Sequence, residues 1–235
     1  IQIIHILSAG PSPDAASQII WEIRLPRAIA STLLGGSLAL SGLLLQVFFD
    51  NPIADPFVLG ISSGAKLCVA LLMIVVMGAG SVMTTWMSVA AAVTGSLLAM
   101  VLVLAVSRRV RSRGTLIVAG VMIGYICSAA TNFLIAFADD QSIVNLHNWS
   151  LGSFSGTSWT DIVAIAPTVA ITAVATFVLS KPLGAYQLGE DYAHSVGVSI
   201  RAFRSAIVML SSIMSACTVA FAGPISFVGI AAPHL

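Results

Sequence analysis

Few residues in this 235-residue chain have the type and spacing to do chemistry. Gly60-Ile61-Ser62-Ser63-Gly64-Ala65-Lys66 has the look of a nucleotide loop. A phosphate loop needs a glycine, four residues, then Gly-Lys and a hydroxyl residue following a strand, so that backbone N–H groups can cradle phosphate. Here Ala65 stands where the second glycine belongs, Leu67 where the hydroxyl belongs, and the surroundings are continuously apolar. Any nucleotide is therefore expected on a separate chain. The histidines, His5, His147, His194 and His234, are at least 40 residues apart and never at i, i+4. Cys68, Cys127 and Cys217 sit singly inside apolar runs, the pattern of buried small hydrophobes and not of a metal or redox motif. No covalent chemistry is expected, and no metal or cofactor bound by this chain.

The remaining polar residues stand in unusual places. Asp50, Asn51 and Asp55 flank Pro52 and Pro56 between two apolar runs. Asp and Asn there can cap helix ends, or they can serve a site. Lys66 lies about ten residues into an apolar run. An intramembrane charge is a functional candidate by default, although a long stem can also snorkel to an interface. Arg24 and Arg27, in Arg24-Leu25-Pro26-Arg27, are either interfacial anchors or a paired patch whose planar guanidiniums suit carboxylates.

The elements that must position these groups follow from composition. The chain is 58% apolar and 8% charged, with a mean hydropathy of +1.02. A soluble domain carries roughly a quarter charged residues. Net charge is +1, so no field points to nucleic acid. A membrane helix needs about 20 apolar residues. Uncharged or nearly uncharged runs predict spans near 28–49, 57–78, 82–106, 115–138, 162–180 and 205–222, with the break in the long 57–107 run at Gly78-Ala79-Gly80-Ser81. The fold class is an all-α polytopic membrane protein with six helices.

With six spans, one side receives Arg108, Arg109, Arg111, Arg113, Lys181, Arg201 and Arg204, and the other Arg24 and Arg27. The positive-inside rule makes the first side cytoplasmic. The cytoplasmic segment 181–204 is the longest loop on its side. Pro182 and Gly184 are expected to stop the preceding helix, Glu190 and Asp191 to start a short one, and Gly197 to end it. Such a helix could couple mechanically to a soluble partner or could be a plain connector.

These pieces, taken in order, resemble the permease subunits of binding-protein-dependent ABC importers for iron-siderophores, haem and vitamin B12. The matching residues are Arg24-Leu25-Pro26-Arg27; Leu38-Ala39-Leu40-Ser41-Gly42 with Gln46; Asn51-Pro52-Ile53-Ala54-Asp55-Pro56 running to Leu59-Gly60-Ile61-Ser62-Ser63-Gly64-Ala65; Trp149 with Gly152-Ser153; Leu188-Gly189-Glu190 with Ala193 and Gly197-Val198; and Gly223-Pro224-Ile225-Ser226-Phe227-Val228-Gly229 with Pro233-His234. The resemblance implies a roughly ten-span inverted-repeat fold in the bacterial inner membrane, of which the spans here are the second to seventh. The first span and about three last spans are then expected to be missing from this sequence. The resemblance also implies that Arg24 and Arg27 dock an extracytoplasmic substrate-binding protein. Leu188, Gly189, Glu190, Ala193 and Gly197 are implied to couple to an ATP-binding cassette ATPase dimer, which uses the ATP. Asn51, Pro52, Asp55, Pro56, Gly223 and Pro224 are implied to form motifs near the pathway. A second permease subunit and membrane lipid complete the implied partners. An ion-coupled secondary transporter, with Lys66 as its coupling site, is the alternative.

Overall fold

The structure, a computed structural model, describes residues 10–78, 84–109 and 113–235. His5, Arg111 and the Ala79-Gly80-Ser81 part of the expected break lie outside the described residues, as do the side chains of Arg108 and Arg113. Among the described residues the chain is helical and contains no strand. α1 (Ala15–Gln18) runs through a π-helical stretch (Ile19–Arg24) into α2 (Leu25–Phe49). Then come a 3-10 turn (Pro56–Leu59), α3 (Ile61–Gly78), α4 (Thr85–Arg109) and α5 (Arg113–Ile135). They are followed by α6 (Asp140–Ser150), α7 (Trp159–Val178), α8 (Ser180–Gln187), α9 (Glu190–Ser195), α10 (Ile200–Ala222) and α11 (Val228–Ala231).

Local chemistry sets the boundaries. Pro26 lies in the first turn of α2, where its missing N–H costs nothing. Asp50 ends that helix in the left-handed region (φ 51°), its N–H bonding back to the carbonyls of Gln46 and Val47. Asp139 accepts from Ser142 N at the start of α6, and Asp161 accepts from Ser158 N at the start of α7. Pro182 and Gly184 do not stop a helix as expected. α7 already ends at Val178, and both residues lie inside α8. Pro182 is the third residue of α8, among the N–H groups that have no intrahelical acceptor anyway.

Five of the described helices are long and apolar enough to cross a bilayer: the continuous Ala15–Phe49 rod, Thr85–Val106, Gly114–Ile135, Trp159–Val178 and Ile200–Ala222. The span expected from residue 57 differs. Residues 56–59 form the 3-10 turn, Gly60 turns the chain with φ 74°, and α3 starts only at Ile61. The reason is depth. A Cβ at Gly60 would stand 2.8 Å from the Gly124 amide nitrogen and 3.0 Å from the Gly120 carbonyl oxygen. Gly120 and Gly124 are seven and eleven residues beyond Arg113, so the turn lies about 10–16 Å along α5 at 1.5 Å per residue. The 50–60 connection therefore climbs into the bundle before α3 begins.

α10 forms the centre, packed against α2, α3, α4 and α7. Alongside large apolar residues such as Phe203, Ile207 and Met214, its inward face from Ser211 on carries many small or hydroxyl-bearing ones: Ser211, Ser212, Ser215, Ala216, Thr218 and Ala220. Small residues let helix backbones approach closely in lipid, and buried hydroxyls bond across the contact. Ser41 Oγ meets Ser211 at both its carbonyl (3.0 Å) and its hydroxyl (2.9 Å), and Thr218 Oγ1 donates to the Leu34 carbonyl at 3.4 Å.

Candidate functional site

The candidate site residues gather at two ends of the bundle and at a junction between them. At the first end, Arg24 closes the π-helical stretch and Arg27 sits one turn on, in the first turn of α2. Both side chains are exposed. Arg27 Nη2 donates to the Ser155 carbonyl at 3.0 Å, and Trp159 Nε1 donates to the Trp21 carbonyl at 2.9 Å. These bonds brace the entry to α2 against the loop preceding α7. The guanidiniums thus stand on a supported platform, and Arg24 and Arg27 share one helical face.

At the opposite end lie α8, α9 and the start of α10. Gly189 (φ 118°) and Gly197 (φ 91°) turn the chain before and after α9. Ala193 is fully buried and serves as the hub, its N–H bonding the Gly189 carbonyl and its carbonyl accepting from Val198 N. Glu190 grips Arg204 of α10 through both carboxylate oxygens, at 2.9 and 3.0 Å. Behind it the buried Tyr186 ring packs on Phe48 of α2 and Phe203 of α10, with centroids at 6.3 and 5.1 Å. Leu188, Tyr192 and Val196 recur every fourth residue, and all three are exposed. A short helix clamped to α10 through Glu190, backed by Tyr186 of α8 on α2 and α10, and carrying or flanked by the exposed Tyr192, Leu188 and Val196, can pass a push from a soluble partner into the bundle. Sequence reading named Leu188 but missed Tyr192 and Val196; their i, i+4 spacing was the available signal. Glu190→Gln is expected to cost about 1 kcal/mol, since Arg204 Nη2 reaches both carboxylate oxygens but the pair is part-exposed. It should also weaken the effect of added permease on the partner ATPase rate, which a phosphate-release assay would read.

The junction joins the motifs around residues 51–56 and 223–229. Ser153 N donates to the Ala222 carbonyl at 2.6 Å, and Gly223 (φ 75°) sits against Trp149 and Gly152, near the Arg27 end. From there Pro224 to Ser226 run without helix, and α11 lies against α2, where a Cβ at Gly42 would collide with the Gly229 carbonyl. His234 Nε2 finally lies 3.4 Å from the Pro52 carbonyl at the far end of α2. Non-helical backbone at membrane depth is tolerated only where protein or an aqueous cavity surrounds it. Gln46 supplies part of that cover, its amide donating to the carbonyls of Gly229 (3.1 Å) and Ile230 (3.3 Å). Asn51 Oδ1 accepts from Ile53 N, a local turn bond. Beside Pro52, the residues Gln46, Asp50, Asn51, Tyr186 and His234 line a cavity of about 560 Å³.

Asp55 is the unusual member of this junction. It is 5% exposed; Oδ1 accepts from Phe57 N at 2.8 Å, while Oδ2 is buried facing Gly229 with no hydrogen-bond partner among the described residues. Burial raises its carboxyl above the ordinary 3.8, against the lowering effect of the Phe57 amide. The folded chain therefore binds this proton more tightly than the unfolded chain. The resulting stabilisation is complete below 3.8 and is lost as pH rises through the raised folded value. Asp139 acts oppositely, held below 3.8 by the Ser142 hydroxyl and amide. Comparing the parent with Asp55→Asn isolates Asp55. The difference in detergent melting temperature should grow in favour of the variant as pH climbs from 4 to 8.

The nucleotide-loop look-alike is part of this packing. Ile61 to Lys66 are helical, and Gly60 and Gly64 press on the backbones of α5 and α4, leaving no cradle for phosphate.

A bundle of apolar spanning helices with a braced cationic end, a short clamped helix at the other and a broken return segment between them defines a multi-pass membrane permease. Over residues 1–235 the chain matches the FecCD transport family, and it belongs to that family. It is 34% identical over 223 residues to the hemin transport system permease protein HmuU of Yersinia pestis, covering 94% of this chain and 67% of that protein. It is 36% identical over 220 residues to the vitamin B12 import system permease protein BtuC of Yersinia enterocolitica, covering 92% of this chain and 64% of that protein. The chain thus spans about two thirds of the length of these relatives. A solved structure, described as an inward-facing conformation of a transporter assigned to the metal-chelate ABC type, superposes with a TM-score of 0.85 at 26% identity, covering 99% of this chain and 75% of that one. The protein is a multi-pass protein of the bacterial inner membrane.

Proposed function

We propose that this chain is the membrane-spanning subunit of a binding-protein-dependent ABC importer that moves an iron-siderophore, haem or cobalamin-type chelate into the cytoplasm. A loaded binding protein docks on Arg24 and Arg27 outside. ATP, consumed by a pair of partner ATPases, moves the Leu188–Val198 segment inside, and a second permease subunit completes the pathway. In this reading the chain performs no covalent step and binds no cofactor. The observation that carries the reading is α9. Tyr192 on it and Leu188 and Val196 on either side of it are exposed, and Glu190 and Arg204 tie it to the most buried of the described spanning helices, a device with purpose only if something outside pushes on it. The names of the relatives support the cargo class.

The test is uptake by the full-length permease, reconstituted in vesicles with its ATPases and binding protein. Accumulation of a ferric chelate, haem or cobalamin that requires ATP supports the reading. Uptake that survives ATP depletion and collapses with an uncoupler would replace it with ion-coupled transport.

A further inference from the structure

Lys66 is the charge left without a role. The structure removes the premise of the snorkelling explanation by fixing its depth. Gly64 packs backbone-to-backbone on Gly95 of α4. Gly95 is ten residues from Thr85 and fourteen from Arg109, so Gly64 lies about 15 Å from one end of α4 and about 21 Å from the other. Lys66 is two residues further toward the Thr85 end, about 12 Å from it. The α5 contacts agree. Gly60 lies about 10–16 Å beyond Arg113, and six more residues of α3 put Lys66 about 20–25 Å along the roughly 34 Å of α5. α3 does begin later than the apolar run suggests, but it begins inside the bundle, so the lysine stays deep in the hydrocarbon.

Its surroundings are those of a site and not of an ion pair. The side chain is half-buried, and no ion pair or hydrogen bond engages it among the described residues. The described spanning helices hold two carboxylates, neither of them at the depth of Lys66: the exposed Glu22, in the π-helical stretch beside Arg24, and Asp161, spent on capping Ser158 at the very start of α7. One turn before Lys66 on the same face is Ser63, whose hydroxyl lies 3.5 Å from that of Ser128 on α5. One turn after it is Ala70, which with Met73 packs under Ser142 and Leu146 of α6. The lysine therefore sits beside α5, below α6, next to a pair of hydroxyls. An ammonium at this depth is costly, faces the bundle interior or a water-filled space, and marks a functional site by default, and an unpaired one attracts anions strongly because water is too scarce to screen it.

We propose that Lys66, with the neighbouring Ser63 and Ser128 hydroxyls, forms a mid-membrane contact for the cargo, and that the cargo is a metal chelate of net negative charge. This rests on the importer reading and deepens it. The ammonium meets the carboxylate or catecholate oxygens of the chelate, the hydroxyls donate further hydrogen bonds, and the contact lowers the barrier for an anion crossing this depth.

The experiment uses the full-length importer in vesicles with two probes, a trianionic ferric tris-catecholate and an uncharged ferric trihydroxamate, alongside a labelling assay. In a chain with Cys68, Cys127 and Cys217 changed to serine, Lys66→Cys should react with a membrane-impermeant sulfonated thiol reagent, at least tenfold more slowly when the anionic chelate is being transported. Lys66→Gln should cut anionic uptake at least tenfold and Lys66→Arg less than threefold, while any uptake of the uncharged probe changes less than twofold. A thiol at 66 that the reagent never reaches overturns the proposal, and so does Lys66→Gln carrying the anion at the parental rate, or a parent that carries only the uncharged probe. If the parent carries no chelate with ATP, the importer reading fails instead. The labelling result then still decides whether residue 66 faces an aqueous path, and an unreactive thiol would sink the site by itself.

Discussion

Gly95→Leu should destabilise the bundle by about 4 kcal/mol, among the largest effects a single substitution produces. α3 and α4 touch through their backbones. A Cβ at Gly95 would collide with the Gly64 carbonyl oxygen and stand 2.7 Å from the Gly64 carbonyl carbon and 2.9 Å from Ala65 Cα. A Cβ at Gly64 would in turn stand 2.6 Å from the Gly95 carbonyl and 2.9 Å from Ala99 Cβ. None of these obstacles is the tip of a flexible side chain, so a leucine must push the helices apart. Separation uncovers Ala65, Val69, Val89 and Ala92, which pack as one cluster. In lipid the helices are held by close contact and not by water exclusion, so lost contact is lost stability. The melting temperature in detergent should fall by about 10 °C, taking 2–4 °C per kcal/mol for a chain of this size, with Gly95→Ala roughly halfway. Gly36→Ala is the control. It is exposed on α2 with nothing within 4 Å of the added carbon, and alanine there should stabilise by about 0.5–1 kcal/mol through helix propensity. If Gly95→Leu melts with the parent, the backbone contact is wrong.

Reversing the charge of both Arg24 and Arg27 to glutamate is expected to weaken binding-protein docking by about 100-fold, the outcome when a complementary charged contact becomes repulsive. Both guanidiniums are exposed, and the Arg27 bond to the Ser155 carbonyl orients that side chain while leaving donors for a carboxylate. The change should be largest near 0.05 M salt and should shrink as salt shortens the screening length. Titration of the labelled binding protein onto detergent-solubilised permease at two salt concentrations reads both features. Restoring affinity by a lysine at the facing acidic residue of the binding protein would show direct contact. Affinity unchanged by the double reversal removes Arg24 and Arg27 from the docking surface and leaves Arg27 as a brace for the start of α2.

Some of this was written in short stretches of chain. Lipid demands that every backbone polar group be satisfied within a segment, so apolar runs near 20 residues become helices wherever the chain later folds. The helices Leu25–Phe49, Thr85–Arg109 and Ile200–Ala222 follow from runs that could be read directly. The ends set by Pro26, Asp139 and Asp161 are equally local, because a cap bonds within three residues of itself. The glycines on either side of α9 belong here too, since a positive φ is a property of one residue.

What required the tertiary structure is everything that depends on two distant stretches meeting. Gln46 finds its acceptor 183 residues away, and Ser41 its partner 170 residues away. No periodicity in either run says which backbone will arrive. The late start of α3 was hidden for the same reason: residues 57–60 are as apolar as the helix they precede, and only the approach of Gly120 and Gly124 turns them into a buried connection. Lys66 shows the division most clearly. Its charge inside an apolar run was visible at once, but its depth, which decides between an anchored surface lysine and a buried cation, was set by the pairing of Gly64 with Gly95. Composition determined that the chain lives in lipid, and close contact between glycines far apart in the chain decided where its charges stand there.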